Sequence, residues 1–200
     1  LDQDATWQVA NVALLDFENG TGRCEHGTAA THEEVTGHVP SGTYSGLRFK
    51  VGVPFELNHG DPTTATPPLD VQSMYWGWGE GFMFFQAVTM TMPPAGEKAN
   101  AYAVAIASMG CEGDPRHGEV VACNLPNRPE IDLAAFDRAT QAVVLDLPTL
   151  LEGTKLLSEH GCSSGPKNES CVPLFNRFGL DYTTGAVTPV TQTVFRVAPQ

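Results

Sequence analysis

Apolar and polar residues change places along this chain at short range, in runs too brief and too often broken by Gly, Pro and Thr to make long helices. That pattern predicts strands and turns. Residues 6–17 read as a first strand, closed by a turn at Glu18-Asn19-Gly20-Thr21-Gly22. Residues 35–40 and 44–53 read as a hairpin, with Gly46-Leu47-Arg48-Phe49-Lys50-Val51-Gly52-Val53 alternating well and Pro54 ending it. Further strands are expected at 74–92, 101–109, 131–133, 141–147 and 190–197, with a turn at 93–96. Pro148-Thr149-Leu150-Leu151-Glu152-Gly153 has Pro at its start and Gly at its end, the asymmetry of a short helix. Residues 171–180 read as a second one. The expected fold class is all-β: an antiparallel β-sandwich with long disulfide-stapled loops and one or two short helices near the C-terminus.

The densest aromatic stretch is Met74-Tyr75-Trp76-Gly77-Trp78-Gly79-Glu80-Gly81-Phe82-Met83-Phe84-Phe85. As a strand it puts Trp76 and Trp78 on one face and leaves the other bare at Gly77, Gly79 and Gly81. Glycines in a strand mark a bulge or a close approach by another group. Two readings stand: aromatic packing in a core strand, or indoles lining a site. His59 falls on a loop just ahead of this stretch, where it is either plain surface or a presented ligand.

Composition narrows the class. Two hundred residues fit a single β domain over 1–200. A net charge of −12 with eleven Lys plus Arg argues against nucleic acid or an anionic membrane surface as partner. No apolar run is long enough for a transmembrane segment. The cysteines are Cys24, Cys111, Cys123, Cys162 and Cys171. Cys111 to Cys123 and Cys162 to Cys171 each enclose a polar loop, and two local disulfides imply an oxidising compartment. Cys24 is left as a free thiol or pairs outside the chain. No C-x-x-C spacing and no paired histidines beside the cysteines point to zinc. Glu112-Gly113-Asp114-Pro115 and the acidic turn at Asp181 offer oxygens to calcium, or are plain polar loops. Haem-attachment, flavin, nucleotide and nucleophile motifs are absent, so the chain is expected not to be an enzyme.

Several segments taken together resemble one family. They are Leu1-Asp2-Gln3-Asp4 with Trp7-Gln8-Val9, Val12-Ala13-Leu14-Leu15-Asp16-Phe17, Gly46-Leu47-Arg48-Phe49, Gly52-Val53-Pro54, Leu57-Asn58-His59 and Trp76-Gly77-Trp78. Gly110-Cys111, Cys123 with Pro126-Asn127-Arg128-Pro129, and Cys162 to Cys171 complete the set. The chain resembles the MbnP-like family, the four-Cys, Trp-x-Trp proteins of the metallo-mystery pair systems, to which copper-repressible surface proteins of methanotrophs are related. The resemblance implies an exported bacterial protein, periplasmic or at the cell surface, that binds copper(I). It implies a di-haem MauG/cytochrome c peroxidase-like partner that oxidises Trp76 or Trp78 to kynurenine, with His59 as a copper ligand. Relatives carry a second histidine in the strand before Gly-Cys; here Ala105 stands at that position, which leaves Met109 as a soft-ligand substitute. It also implies a further N-terminal segment that supplies a partner for Cys24. The alternative is a β-sandwich module for a carbohydrate or cell-surface partner, with Trp76 and Trp78 as a stacking platform.

Overall fold

The computed structural model describes residues 1–22, 24, 27–92, 95–96, 98–114, 119–165 and 167–200. Its strands are β1 (Gln8–Val9), β2 (Val12–Ala13), β3 (Gly46–Lys50), β4 (Tyr75–Gly77), β5 (Gly81–Met90), β6 (Ala101–Ala107), β7 (Met109–Asp114), β8 (Glu119–Leu125), β9 (Glu130–Ala134), β10 (Gln141–Leu145), β11 (Gly161–Ser163) and β12 (Phe195–Pro199). Among the described residues, three short α-helices interrupt them: α1 (Phe55–Asn58), α2 (Leu147–Leu151) and α3 (Val172–Arg177). The architecture is an all-β sandwich.

A four-stranded sheet in the order β11-β6-β5-β4 forms the central layer. Its β11–β6 edge is parallel and its other pairings antiparallel. Alternation along β6 turns Tyr102, Val104 and Ile106 to one side, where they pack with Leu150 of α2, Leu174 and Phe175 of α3, Phe178 and Leu180. Each such fully buried large side chain contributes roughly 1.5–3 kcal/mol. Two further pairs, β3–β9 and β10–β12, meet through the edge-to-face contact of Phe49 with Phe195, 5.4 Å between ring centroids. A second cluster gathers Val53, Leu69 and Phe82 with Val9, Val12, Leu57 and Tyr75, and it underlies the tryptophan segment.

Long-range contacts redraw several expected elements. The strand expected at 6–17 is a tight hairpin, β1 with β2, turning at Ala10 with φ +52°. Asp4 Oδ1 accepts from the backbone N–H groups of Thr6, Trp7 and Gln8, which bends the chain before it can run straight. The expected hairpin of 35–40 with 44–53 does not form. β3 pairs instead with β9, some eighty positions away, where Arg48 and Asp132 form a cross-strand ion pair. Thr36 is held by the buried amide of Gln8, whose Oε1 accepts from Thr36 N at 2.8 Å. The strand expected at 101–109 stops at Ala107, because Met109 already belongs to β7. The last strand starts at Phe195 rather than residue 190. Part of the turn expected at 93–96 lies outside the described residues.

The two C-terminal helices form close to where the pattern puts them. Asp146 caps α2, its Oδ1 accepting from Thr149 N at 3.0 Å, and Pro148 stands in the first turn. Cys162 and Cys171 are joined, which ties β11 to the start of α3. Gly161 lies at φ +134°, and a Cβ there would run into the Ala103 backbone. Gly161→Ala is therefore expected to lower stability by about 2–4 kcal/mol, from strained backbone and overpacking together. Urea unfolding measures it; a loss under about 0.5 kcal/mol would refute this reading of the β11–β6 edge.

Candidate metal and modification site

The site grows from α1. Pro54, extended at φ −61° and ψ 150°, starts a single helical turn whose Leu57 N–H donates to the Pro54 carbonyl at 3.0 Å. The turn lasts only four residues, so Asn58 and His59 leave it pointing inward. Both are buried, His59 to 8% exposure. Of the two readings of His59, plain surface is excluded by this burial: Leu57 packs against the Val53, Leu69 and Phe82 cluster, and the polar pair goes in beside it, while Phe55 stays largely exposed. The Phe55 ring sits edge-on to His59 at 5.1 Å.

Asn58 organises the surroundings. Its Nδ2 donates to the Glu80 carbonyl at 3.0 Å and to Ser108 Oγ at 3.1 Å, and its Oδ1 accepts from Phe82 N at 2.9 Å. Ser108 Oγ donates in turn to the Glu80 carbonyl at 2.7 Å. One side chain thus joins α1, the turn before β5 and the β6–β7 junction. Gly81 adopts φ +75° directly against it, and any Cβ there would strike the Asn58 amide.

That clamp decides the shape of the tryptophan segment. It is a hairpin tip: β4 ends at Gly77, Trp78 to Glu80 form the turn, and β5 returns from Gly81. The expected single strand with both indoles on one face is therefore corrected. Trp76 stays on β4 and Trp78 sits in the turn, 40% and 39% exposed. Tyr75 meets the Trp78 ring edge-on at 6.0 Å and Phe82 at 5.1 Å.

His59 lies under this tip. Burial lowers its pKa below the ordinary 6.5, opposed by the Trp78 backbone acceptor and by Glu80, so the ring is neutral at pH 7. Nε2 is 3.3 Å from Asn58 Nδ2 and 3.5 Å from Cys123 Sγ. Nδ1 is buried and closes no hydrogen bond of ordinary geometry, even with the Trp78 backbone close by. The Tyr75 hydroxyl is likewise buried without a partner, and burial raises its pKa. Unpartnered buried polar atoms cost about 1–3 kcal/mol each, and they are uncommon unless something else engages them. A neutral imidazole with an unengaged nitrogen is what a metal ligand requires.

β7 and β8 form a hairpin with Cys111 opposite Cys123, joined as a disulfide. The loop expected between these cysteines is therefore largely strand, and its far turn lies outside the described residues. The hairpin carries the pair to His59: the ligand atoms of His59, Cys111 and Cys123 lie within 4.8 Å of one another. The spacing along the chain hides this, since histidine and cysteines are more than fifty positions apart. Met109 opens β7 opposite Leu125, half-buried and two positions before Cys111. Ala105 pairs with Gln86 and Ser163 and opens onto a different groove, one lined also by His160 and Asn168. Cys24 forms no disulfide. Asp181 Oδ1 already accepts from Thr183 N, Thr184 N and Thr184 Oγ1, and Glu112 Oε1 from Asn124. Among the described residues the acidic turns gather no three-ligand group for calcium, and Pro115 of the first lies outside them.

A profile of the MbnP family matches residues 1–170. The chain belongs to the MbnP family. MbnP from Methylosinus trichosporium is a solved structure similar to it, with a TM-score of 0.79 and 31% identity over 100% of this chain and 78% of that one. No curated protein sequence matches. An MbnP-type chain with two disulfides suits an oxidising compartment. Among its described residues no helix is long and apolar enough to cross a membrane. Sequence reasoning missed Asn58, Ser108 and Tyr75 as parts of this candidate site; the one local signal was the apolar Leu57 just ahead of Asn58 and His59.

Proposed function

We propose that this protein is an exported copper(I)-binding protein, periplasmic or at the cell surface, and not itself an enzyme. In this reading Trp78 is converted to kynurenine by a separate di-haem MauG/cytochrome c peroxidase-like partner, and His59 is a copper ligand. The observation that carries it is the buried, neutral imidazole of His59 at the Trp78 turn, whose Nδ1 closes no hydrogen bond of ordinary geometry. The donor set fits a soft cation: imidazole and an aromatic amine suit copper. An indole N–H is donor-only and offers no lone pair, so the ring must open before that residue can ligate. Cleaving the indole C2–C3 bond and placing one oxygen on each carbon removes four electrons, so two equivalents of peroxide are reduced to water at the partner. Hydrolysis then releases the formyl group as formate and frees the aniline nitrogen.

This chain's own part is to present and to hold. Exposure on the hairpin tip gives the partner access to Trp78, and the Asn58 clamp fixes the turn over His59. The stacking-platform alternative shares the exposure of both indoles, but it accounts for neither unpartnered atom beneath them. The test is intact mass of protein produced with the partner. One tryptophan-to-kynurenine conversion is expected in the wild type and in Trp76→Phe, and none in Trp78→Phe. Conversion that persists in Trp78→Phe would overturn the assignment of Trp78.

A further inference from the structure

The Cys111–Cys123 disulfide has a place in the site that the reading above does not use. Its two sulphurs stand with His59 as one three-ligand group. As a disulfide they carry no thiolate, and the thiolate is the sulphur species that binds metal. We propose that this disulfide is a redox gate: on reduction, Cys111 and Cys123 join His59 in a Cys2His site for a thiophilic cation, copper(I) or zinc(II), and on reoxidation that site is abolished.

Geometry favours this. In a tetrahedral site with metal–sulphur about 2.3 Å and metal–nitrogen about 2.0 Å, sulphur and nitrogen ligands stand about 3.5 Å apart. Cys123 Sγ and His59 Nε2 are already 3.5 Å apart. The hairpin keeps the cysteines opposite each other without the covalent bond, because β7 and β8 are also paired at Met109 with Leu125, Glu112 with Ala122, Gly113 with Val120 and Asp114 with Glu119. Access is selective. Cys111 and Cys123 are half-buried, whereas Cys162 and Cys171 sit in the core at 1% and 0% exposure. Thiol–disulfide exchange needs the attacking thiolate to reach a sulphur, so the site disulfide opens first.

The chemistry balances with a dithiol as reductant. Its two thiols give up two electrons and two protons and close into a cyclic disulfide, while the Cys111–Cys123 bond breaks into two thiols. Metal binding then releases those two protons. Nothing in this requires kynurenine, so the proposal shares His59 with the proposed function but does not depend on Trp78 being modified.

The experiment uses the full chain made without the partner, in a Cys24→Ala background so that no other thiol is counted. Mild dithiol treatment is expected to make Cys111 and Cys123 alkylatable, with Cys162–Cys171 intact by peptide mapping. Cadmium(II), added as an optical probe, is expected to give sulphur-to-metal charge-transfer absorption in the reduced protein only. Copper(I) and zinc(II) are titrated separately against chromophoric chelators. Even outer-shell partners are worth roughly 10–100-fold in metal affinity, so loss of two direct ligands in Cys111→Ser/Cys123→Ser is expected to weaken binding by more than about 100-fold relative to the reduced parent. Preference for one cation in these titrations names the occupant. Equal affinity in the reduced parent and the double serine variant would overturn the proposal, and so would loss of the β-sheet circular dichroism on reduction. Absence of copper from the oxidised, partner-treated protein would sink the proposed function and leave this site standing.

Discussion

His59→Gln protein produced with the di-haem partner is expected to retain no copper(I) after dialysis, while the wild type retains it. Glutamine keeps polar atoms and approximate bulk, so the change removes the imidazole nitrogen without emptying the pocket. His59 is buried against Phe55, Asn58 and Cys123, and its Nδ1 closes no hydrogen bond of ordinary geometry that the change would break. A direct ligand is worth more than the roughly 10–100-fold carried by outer-shell groups, so affinity is expected to fall by over about 100-fold. Retained copper in the variant would remove His59 from the site. The same residue sets a pH dependence. Burial holds its folded pKa below 6.5, so below that pH the unfolded chain binds more protons than the folded one. The contribution of neutral His59 to stability is thus complete above pH 6.5 and is lost as pH falls toward the lowered folded value. In chemical denaturation between pH 7 and 5, the wild type is expected to lose stability more steeply than His59→Gln. Parallel slopes would contradict the burial argument.

Asn58→Ala is expected to cost about 2–4 kcal/mol of stability, the largest single side-chain effect at the site. The substitution leaves Phe82 N without its acceptor, takes one of two donors from the Glu80 carbonyl and removes a donor from Ser108. Each buried group left unsatisfied costs about 1–3 kcal/mol. In a chain of this size that is a fall of roughly 4–16 °C in Tm, at about 2–4 °C per kcal/mol. The Trp78 turn would lose its anchor as well, so conversion by the partner is expected to slow. Asn58→Asp separates the contributions: it keeps the acceptor for Phe82 N, loses both donations and buries a carboxylate. It is expected to be at least as damaging as alanine. A loss under about 0.5 kcal/mol for either variant would show that the amide is not the hub.

Much of the fold was legible because it is local. The apolar runs of β5, β6 and β10, the alternation of β9 and the proline-started α2 carry their own signals, and they form close to where those signals lie. Partner choice was not legible. β3 looked complete with a neighbour at 35–40, yet its face is satisfied by β9, and nothing within ten residues of Arg48 announces Asp132. The residues 6–17 failed for a different reason: one carboxylate at Asp4, accepting from three N–H groups, outweighs an apolar run that would otherwise continue. The candidate site divides in the same way. Trp76, Trp78 and the two cysteine pairs stand out by residue type. Asn58 and Ser108 are ordinary polar residues whose importance comes only from being buried together.

By itself, the sequence determined the all-β class, the acidic surface, the pairing of cysteines close along the chain and the segment where the chemistry would lie. Each of these rests on composition or on spacings of a few residues. Only the tertiary structure decided that the Trp-Gly-Trp segment is a hairpin tip, that His59 is interior, and that a cross-strand disulfide lies against its ring. The physical reason is that Gly81 and Asn58 must occupy adjoining space. That single close approach, across more than twenty residues of chain, sets the turn that brings Trp78 over His59.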